Sequence, residues 1–256
     1  MLSFDPAILA SRHKYEMEPQ ESEWKLYPLY EDEYERTVAK LIGDFGDQLN
    51  SSDGKAIGTL FVKRYSPLFA GAVYAWLFHG HPFDLSPSNV QPAMNGALFK
   101  YYLLDALPLE GISSLADDGE KDEAYMHHVI DGHARPLVGA VARLTGVPEL
   151  SLWRTVAYSM AYWQQEWLLE SGSEAIKGRI GSWFLKLTSR ESKAWLPEYA
   201  VNPLSCQFRE VDDPTQEGRK ILIRKVCCLN YRVFGKERYC STCPLISEER
   251  RLEKLL

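Results

Sequence analysis

Four of the chain's five cysteines fall within seventeen positions near its carboxyl end: Cys227 and Cys228 side by side, eleven residues, then Cys240 and Cys243. Thiols this close in sequence cross-link, bind a soft or borderline metal, or carry redox chemistry, and each choice dictates how the last forty residues must fold. Disulfide frameworks belong to small secreted chains, whereas this chain has 256 residues and no secretory pattern ahead of or across Leu2–Leu9. A metal site is therefore expected.

Zinc and an iron–sulfur cluster both accept four thiolates. Structural zinc sites pair two short bites such as C-x2-C, and here one bite, Cys240/Cys243, is of that kind while the other is an adjacent pair. Neighbouring side chains of an extended run point to opposite faces, so an adjacent pair clamps a single ion poorly unless the backbone turns sharply. A two-iron rhomb has two tetrahedral ends and suits the pair better. The spacing thus favours a [2Fe–2S] cluster, with structural zinc and reactive thiols as the alternatives. The plant-type C-x4-C-x2-C order is absent.

A composition 45% hydrophobic and 25% charged gives enough apolar material for a real core and excludes disordered and fibrous classes. The longest stretch without a formal charge, Tyr65 to Phe83, contains Pro67, Gly71, His79, Gly80, His81 and Pro82, falls short of a membrane span and reads as a buried helix. Free cysteines place the chain in a reducing compartment, the cytoplasm. A net charge of −6 argues against nucleic-acid binding.

Met1 to Tyr30 shows no chemistry. Apolar residues at helical spacing predict helices over Asp32–Leu49, Lys55–Tyr65, Pro67–His79 and Glu123–Ala134, the last resuming after Pro136 and stopping at Gly146. Two further stripes run through Leu152, Val156, Met160, Trp163 and Trp167, and through Ile176, Ile180, Trp183, Phe184 and Leu187. Asp84 to Pro92 reads as a loop, Ala97–Leu104 as a strand and Glu110–Glu120 as a mobile loop. Strands at Phe208–Val211 and Lys220–Val226 form a hairpin feeding into Cys227, and a short helix at Ser247–Leu256 closes the chain. The fold class expected is α+β, mainly helical, with a helical scaffold over residues 1–205 and a cluster-binding segment over residues 206–256.

Other chemistry is sparse. His79, His81, His127, His128 and His133 lack a chelating i, i+4 spacing and read as loop or half-buried side chains, and Cys206 as a small buried hydrophobe. No GxGxxG and no P-loop appears, so no nucleotide cofactor held here loads electrons. From Arg219 to Tyr239, by contrast, Arg219, Lys220, Arg224, Lys225, Arg232, Lys236 and Arg238 face only Glu237, a local +6. Such a collar either solvates a strand edge or attracts an anionic partner and favours the reduced, more negative form of a cluster.

The run Arg224-Lys225-Val226-Cys227-Cys228-Leu229-Asn230-Tyr231-Arg232, with Tyr239-Cys240-Ser241-Thr242-Cys243-Pro244, resembles the carboxyl-terminal signature of bacterial siderophore-iron reductases of the ferric hydroxamate reductase (FhuF-like) family. That pattern, CC-x10-C-x2-C, holds a [2Fe–2S] cluster. This chain has eleven residues where the pattern has ten, an addition that enlarges the turn at Val233-Phe234-Gly235-Lys236. Upstream, Tyr65-Ser66-Pro67-Leu68-Phe69, His133-Ala134-Arg135-Pro136-Leu137-Val138 and Leu152-Trp153 are similar to the helical core shared with aerobactin-type siderophore synthetases. The loop Asp84–Asn89 keeps little of the synthetases' polar chemistry beyond Asn89, which implies a binding scaffold without ligase activity.

The resemblance implies a cytoplasmic ferric-siderophore reductase. Cys227, Cys228, Cys240 and Cys243 would hold the [2Fe–2S] cluster, and Arg224, Lys225, Arg232, Lys236 and Arg238 would dock a hydroxamate or citrate-hydroxamate ferric siderophore. Outer-sphere electron transfer needs no acid or base residue. The expected electron donor is a ferredoxin or an NAD(P)H-dependent reductase, with peripheral contact at the cytoplasmic membrane face also in view. Two rival readings are a zinc-binding interaction module and a siderophore-modifying enzyme on a synthetase-like scaffold.

Overall fold

The uncharged run becomes the centre of the molecule. In a computed structural model of the chain, which describes residue 13 and residues 15–16, 25–29, 33–112, 114–190 and 196–256, Pro67–His79 is a helix whose residues Leu68 through Leu77 are all buried. A helix apolar on every side must be wrapped by others. Pro67 starts it without losing a bonded N–H, and Gly80, at φ 65, ends it in the left-handed region.

Besides this helix, α3, the body contains α1 (Tyr34–Gln48), α2 (Gly54–Tyr65), α4 (Asp118–Val129), α5 (Arg135–Thr145), α6 (Glu149–Glu170) and α7 (Glu174–Thr188), of which α6 and α7 pack directly on α3. The 22-residue α6 packs against α2, α3, α5 and α7 and buries Trp153 and Trp167. The mainly helical α+β expectation holds, and no helix among the described residues is long and apolar enough to cross a membrane. Residues 1–12, which include the stretch read for a secretory signal, lie outside the described residues.

Three expectations need correction. The loop read over Asp84 to Pro92 ends at Asn89, because Val90–Asn95 is a strand, β3, paired antiparallel with β4 (Leu98–Leu103) from Val90↔Leu103 to Asn95↔Leu98. With β1 (Tyr15–Glu16) and β2 (Lys25–Leu26) the sheet order is β1-β4-β3-β2. Pro92 hid the strand. Its carbonyl accepts from Tyr27 N at 2.9 Å, and since a strand residue's N–H and C=O point the same way, its missing donor faces the short β2 side and not β4. Second, α4 starts at Asp118, inside the stretch read as a loop, because Asp117 caps it by accepting from Gly119 N and Glu120 N. Third, His133 is not half-buried but has no exposed surface.

His133 sits in a π-helical turn, Ile130–Ala134, between α4 and α5. A carbonyl oxygen only accepts, so the 2.7 Å contact from Nδ1 to Leu85 O places the proton on Nδ1, and Nε2 accepts from the Tyr65 hydroxyl at 2.9 Å. Burial, opposed by the bond to Leu85 and reinforced by the charge of His128, lowers its pKa from 6.5 to about 4. A depressed histidine pKa contributes stability that is fully present above the unfolded value and is lost as the unfolded chain takes up the proton. Unfolding free energy should therefore fall by up to about 3 kcal/mol between pH 6.5 and 4 from this group. Urea titrations at pH 7 and pH 5 check it: His133→Asn should show a flatter pH dependence, and an unchanged slope would rule His133 out.

Candidate metal centre

Strands β5 (Arg209–Asp212) and β6 (Lys220–Ile223) pair antiparallel from Arg209↔Ile223 to Asp212↔Lys220 and deliver the chain to the cysteines. Immediately after β6, Arg224 N donates to Thr242 O at 3.1 Å, which draws the Cys240–Cys243 segment alongside the adjacent pair. Arg224 also donates from Nε to Thr242 Oγ1 at 3.2 Å and lays its guanidinium 4.0 Å from the ring centre of Tyr158 on α6.

The sharp turn that an adjacent pair requires is present. Leu229, directly after Cys228, has φ 57, a left-handed conformation that costs a non-glycine residue roughly 1–2 kcal/mol. It starts the short helix α8 (Asn230–Phe234). Gly235, at φ 87 and ψ 163, a region open in practice to glycine alone, then separates α8 from the 3₁₀ turn Lys236–Arg238. The bend thus falls within the enlarged loop.

The four sulfurs form a ring. Cys227 Sγ lies 3.5 Å from Cys243 Sγ, and the electrostatics of the thiols couple Cys228 to Cys227 and Cys240, and Cys240 to Cys243. Leu229 N donates to Cys227 Sγ at 3.4 Å, Leu245 N to Cys243 Sγ at 3.5 Å and Thr242 Oγ1 to Cys240 Sγ at 3.6 Å. As thiols, Cys240 is driven toward the thiolate by bonds from Cys228 and Cys243, helped by Thr242 and Arg224, while Cys227, donating to Cys228 and Cys243, is pushed the other way. Lys63 on α2 adds a cation 3.9 Å from Cys228 Sγ.

Cys228 and Cys243 are buried, at 2% and 1% exposure, while Cys227 and Cys240 are part-exposed, so the ring opens on one side. Among the described residues no three His, Cys, Asp or Glu side chains converge as ligands of a single ion would. The donor chemistry decides the fit. Four soft thiols, with N–H and O–H donors aimed at sulfur and cations nearby, suit an iron–sulfur cluster. Cys206 stands apart: its thiol donates to Pro203 O at 3.4 Å, and burial raises its pKa.

Two residues unsuspected from sequence shape the site. Arg251 on α9 (Glu248–Leu255), 1% exposed, donates from Nη1 to Ser241 O and from Nη2 to Cys243 O at 3.0 Å, so it holds the carbonyls of the Cys240–Cys243 loop. Lys63 is the other. Neither belongs to the motif, and a charged residue in a helix reads as solvated unless the fold is known.

The basic collar divides. Arg219 pairs with Glu166, Lys220 with Asp212 at 2.5 Å, and Arg232 with Asp53, the cap of α2, at 2.6 Å, while Arg224 is held by Tyr158 and Thr242. The side chains of Lys225, Lys236 and Arg238 have no ion pair among the described residues and are exposed.

Sequence and structure comparisons bear on this site. A search of characterised proteins gives no significant match. Aerobactin synthetase IucC of a hypervirulent Klebsiella pneumoniae pathotype aligns at 15% identity and a TM-score of 0.46 over 73% of this chain; the chain spans 37% of that structure's length. The model of the family described as "Ferric iron reductase FhuF-like transporter" matches residues 59–215, and that described as "FhuF 2Fe-2S C-terminal domain" matches residues 224–245, across all four thiols. The segment that carries the four thiols is therefore a [2Fe–2S] domain, and with more than half of its length matched the chain belongs to the FhuF-like ferric iron reductase family.

Proposed function

We propose that this chain reduces the iron(III) of a hydroxamate or citrate-hydroxamate ferric siderophore. The observation that carries the reading is a ring of four thiols, part-exposed on one side, in a segment whose Lys225, Lys236 and Arg238 are exposed and make no ion pair with a described residue. The cluster they hold supplies one electron. The remaining requirements fall on the protein: to seat the chelate beside the open edge formed by Cys227 and Cys240, and to keep Cys228 and Cys243 dry.

Hydroxamate and carboxylate oxygens are hard donors that hold iron(III) firmly; one added electron lowers the ion's charge to iron(II) and weakens that grip. The step forms and breaks no covalent bond and moves no proton, so no acid or base residue is required. The electron is replaced by a one-electron donor, a ferredoxin or an NAD(P)H-dependent reductase. The direct experiment is anaerobic: protein reduced with dithionite is freed of excess reductant and mixed with a ferric siderophore. Re-oxidation of the visible spectrum together with ferrous iron captured by a chromogenic chelator is expected; failure with every ferric siderophore tried would sink the reading.

Exposed charges act through a field screened over ~8 Å at physiological salt, so the free cations of the collar should set how often an anionic chelate arrives. At sub-saturating anionic substrate the rate should fall as salt rises. Lys236→Glu should slow it by a further several-fold with the cluster's spectrum unchanged, consistent with rim charges acting on encounter. Equal salt dependence for a neutral ferric trihydroxamate would contradict this. A shift in midpoint potential that slows both substrates alike would assign the collar to tuning potential instead.

A further inference from the structure

Three cations absent from the motif-based reading, or assigned there only to a general collar, meet in one cavity. A pocket of about 610 Å³ is lined by Arg154, Arg190, Lys225, Thr188, Ser205 and Cys206, among others, a volume within the range of small-molecule sites. Among the described residues that line it there is no carboxylate. Arg154, Arg190 and Lys225 make no ion pair with any described residue, in a chain whose acidic residues outnumber its basic ones by six. Like charges brought together without counter-charge repel, and the arrangement is complementary to an anion.

The pocket adjoins the metal centre. Lys225 precedes Cys227 by two residues. Arg154 lies on α6 one turn before Tyr158, a rise of about 6 Å. Tyr158 carries Arg224 on its ring, and Arg224 bonds Thr242, whose hydroxyl donates to Cys240 Sγ. An anion held by Arg154 and Lys225 would thus lie against the same helix face and chain segment that border the thiol ring.

We propose that this pocket seats the anionic face of the ferric chelate, with Arg154 and Arg190 as its carboxylate-binding residues, and that the chain therefore prefers carboxylate-bearing citrate-hydroxamate complexes over neutral trihydroxamates. The inference rests on the reductase reading. Three hydroxamates neutralise iron(III), leaving no net charge to recognise, whereas a citrate-bis(hydroxamate) complex keeps negative charge on carboxylate oxygens. A guanidinium fork binds a carboxylate through two parallel bonds, which a lysine ammonium cannot reproduce.

Gallium(III) complexes test this without electron transfer, by calorimetry on the cluster-loaded full-length protein. The gallium complex of a citrate-bis(hydroxamate) siderophore should bind. Arg154→Gln and Arg190→Gln should each weaken it about tenfold, ~1.4 kcal/mol, and Arg154→Lys less. The gallium complex of a neutral trihydroxamate should bind more weakly and change less than about twofold in the same variants. Unchanged visible spectra would show the variants folded and loaded. Binding of the anionic complex within twofold of wild type in both glutamine variants, equal losses for both complexes, or no measurable binding to wild type would each overturn the pocket. The reductase reading fails separately, if reduced wild-type protein passes no electron to any ferric siderophore.

Discussion

Replacing any one of Cys227, Cys228, Cys240 and Cys243 with serine should strip the purified protein of its reddish-brown colour, while Cys206→Ser should leave it intact. The reason is the difference between a ligand and a bystander. Each of the four sulfurs is coupled to two others in the ring, whereas among the described residues the Cys206 thiol bonds Pro203 O and no other cysteine. Serine offers a hard, weakly acidic oxygen where a soft thiolate is needed. Groups outside a metal's ligand set already cost 10–100-fold in affinity when removed, so loss of a ligand should exceed about a hundredfold. Wild-type protein should analyse for two irons and two sulfides per chain. The two buried thiols, Cys228 and Cys243, should be least tolerant, since a serine hydroxyl there also lies out of reach of water. A chain that bleaches on losing Cys206 yet keeps its spectrum without Cys228 would overturn the ligand assignment.

The helices were readable because their apolar residues recur at a period that only a helix satisfies; Val38, Leu41, Ile42 and Phe45 are buried on one face of α1 as their spacing requires. The sheet was half readable. Aromatic β4 declares itself, but β3 carries a proline whose harmlessness depends on which side its missing donor faces, and that is known only once Tyr27 is in place. The thiols were legible because four of one rare residue at short spacing leave few chemical options. Their surroundings were not. Whether Arg232 meets Asp53 or solvent, and whether Arg154 lies beside Lys225, depends on contacts between residues seventy or more positions apart, which periodicity does not encode. The +6 collar shows the same limit, since charge counted along the chain ignores that Glu166, Asp212 and Asp53 come to meet three of its members.

Arg251→Met should loosen the metal centre while leaving the helical body folded. The guanidinium is 1% exposed and bonds Ser241 O, Cys243 O and, at 3.2 Å, Glu248 Oε2; Glu248 in turn pairs with Arg209 of β5. One side chain therefore ties the Cys240–Cys243 loop to α9 and, through Glu248, to the hairpin that carries Cys227. Methionine fills much of the volume but satisfies neither carbonyl, and removing one partner of a buried charged network costs roughly 3–5 kcal/mol. Lysine keeps the charge, yet a single ammonium cannot span two carbonyls and a carboxylate in the planar fork that arginine offers, so Arg251→Lys should lose about half as much. Since Arg251 lies outside the packed helices α1–α7, the loss should be local. The visible absorption of Arg251→Met should bleach at a temperature roughly 6–20 °C below wild type, at about 2–4 °C per kcal/mol, before the far-ultraviolet helical signal changes. Simultaneous loss of both signals would mean that Arg251 supports the whole fold, and a cluster as long-lived as wild type in the methionine variant would show that the carbonyl clamp does not hold the site.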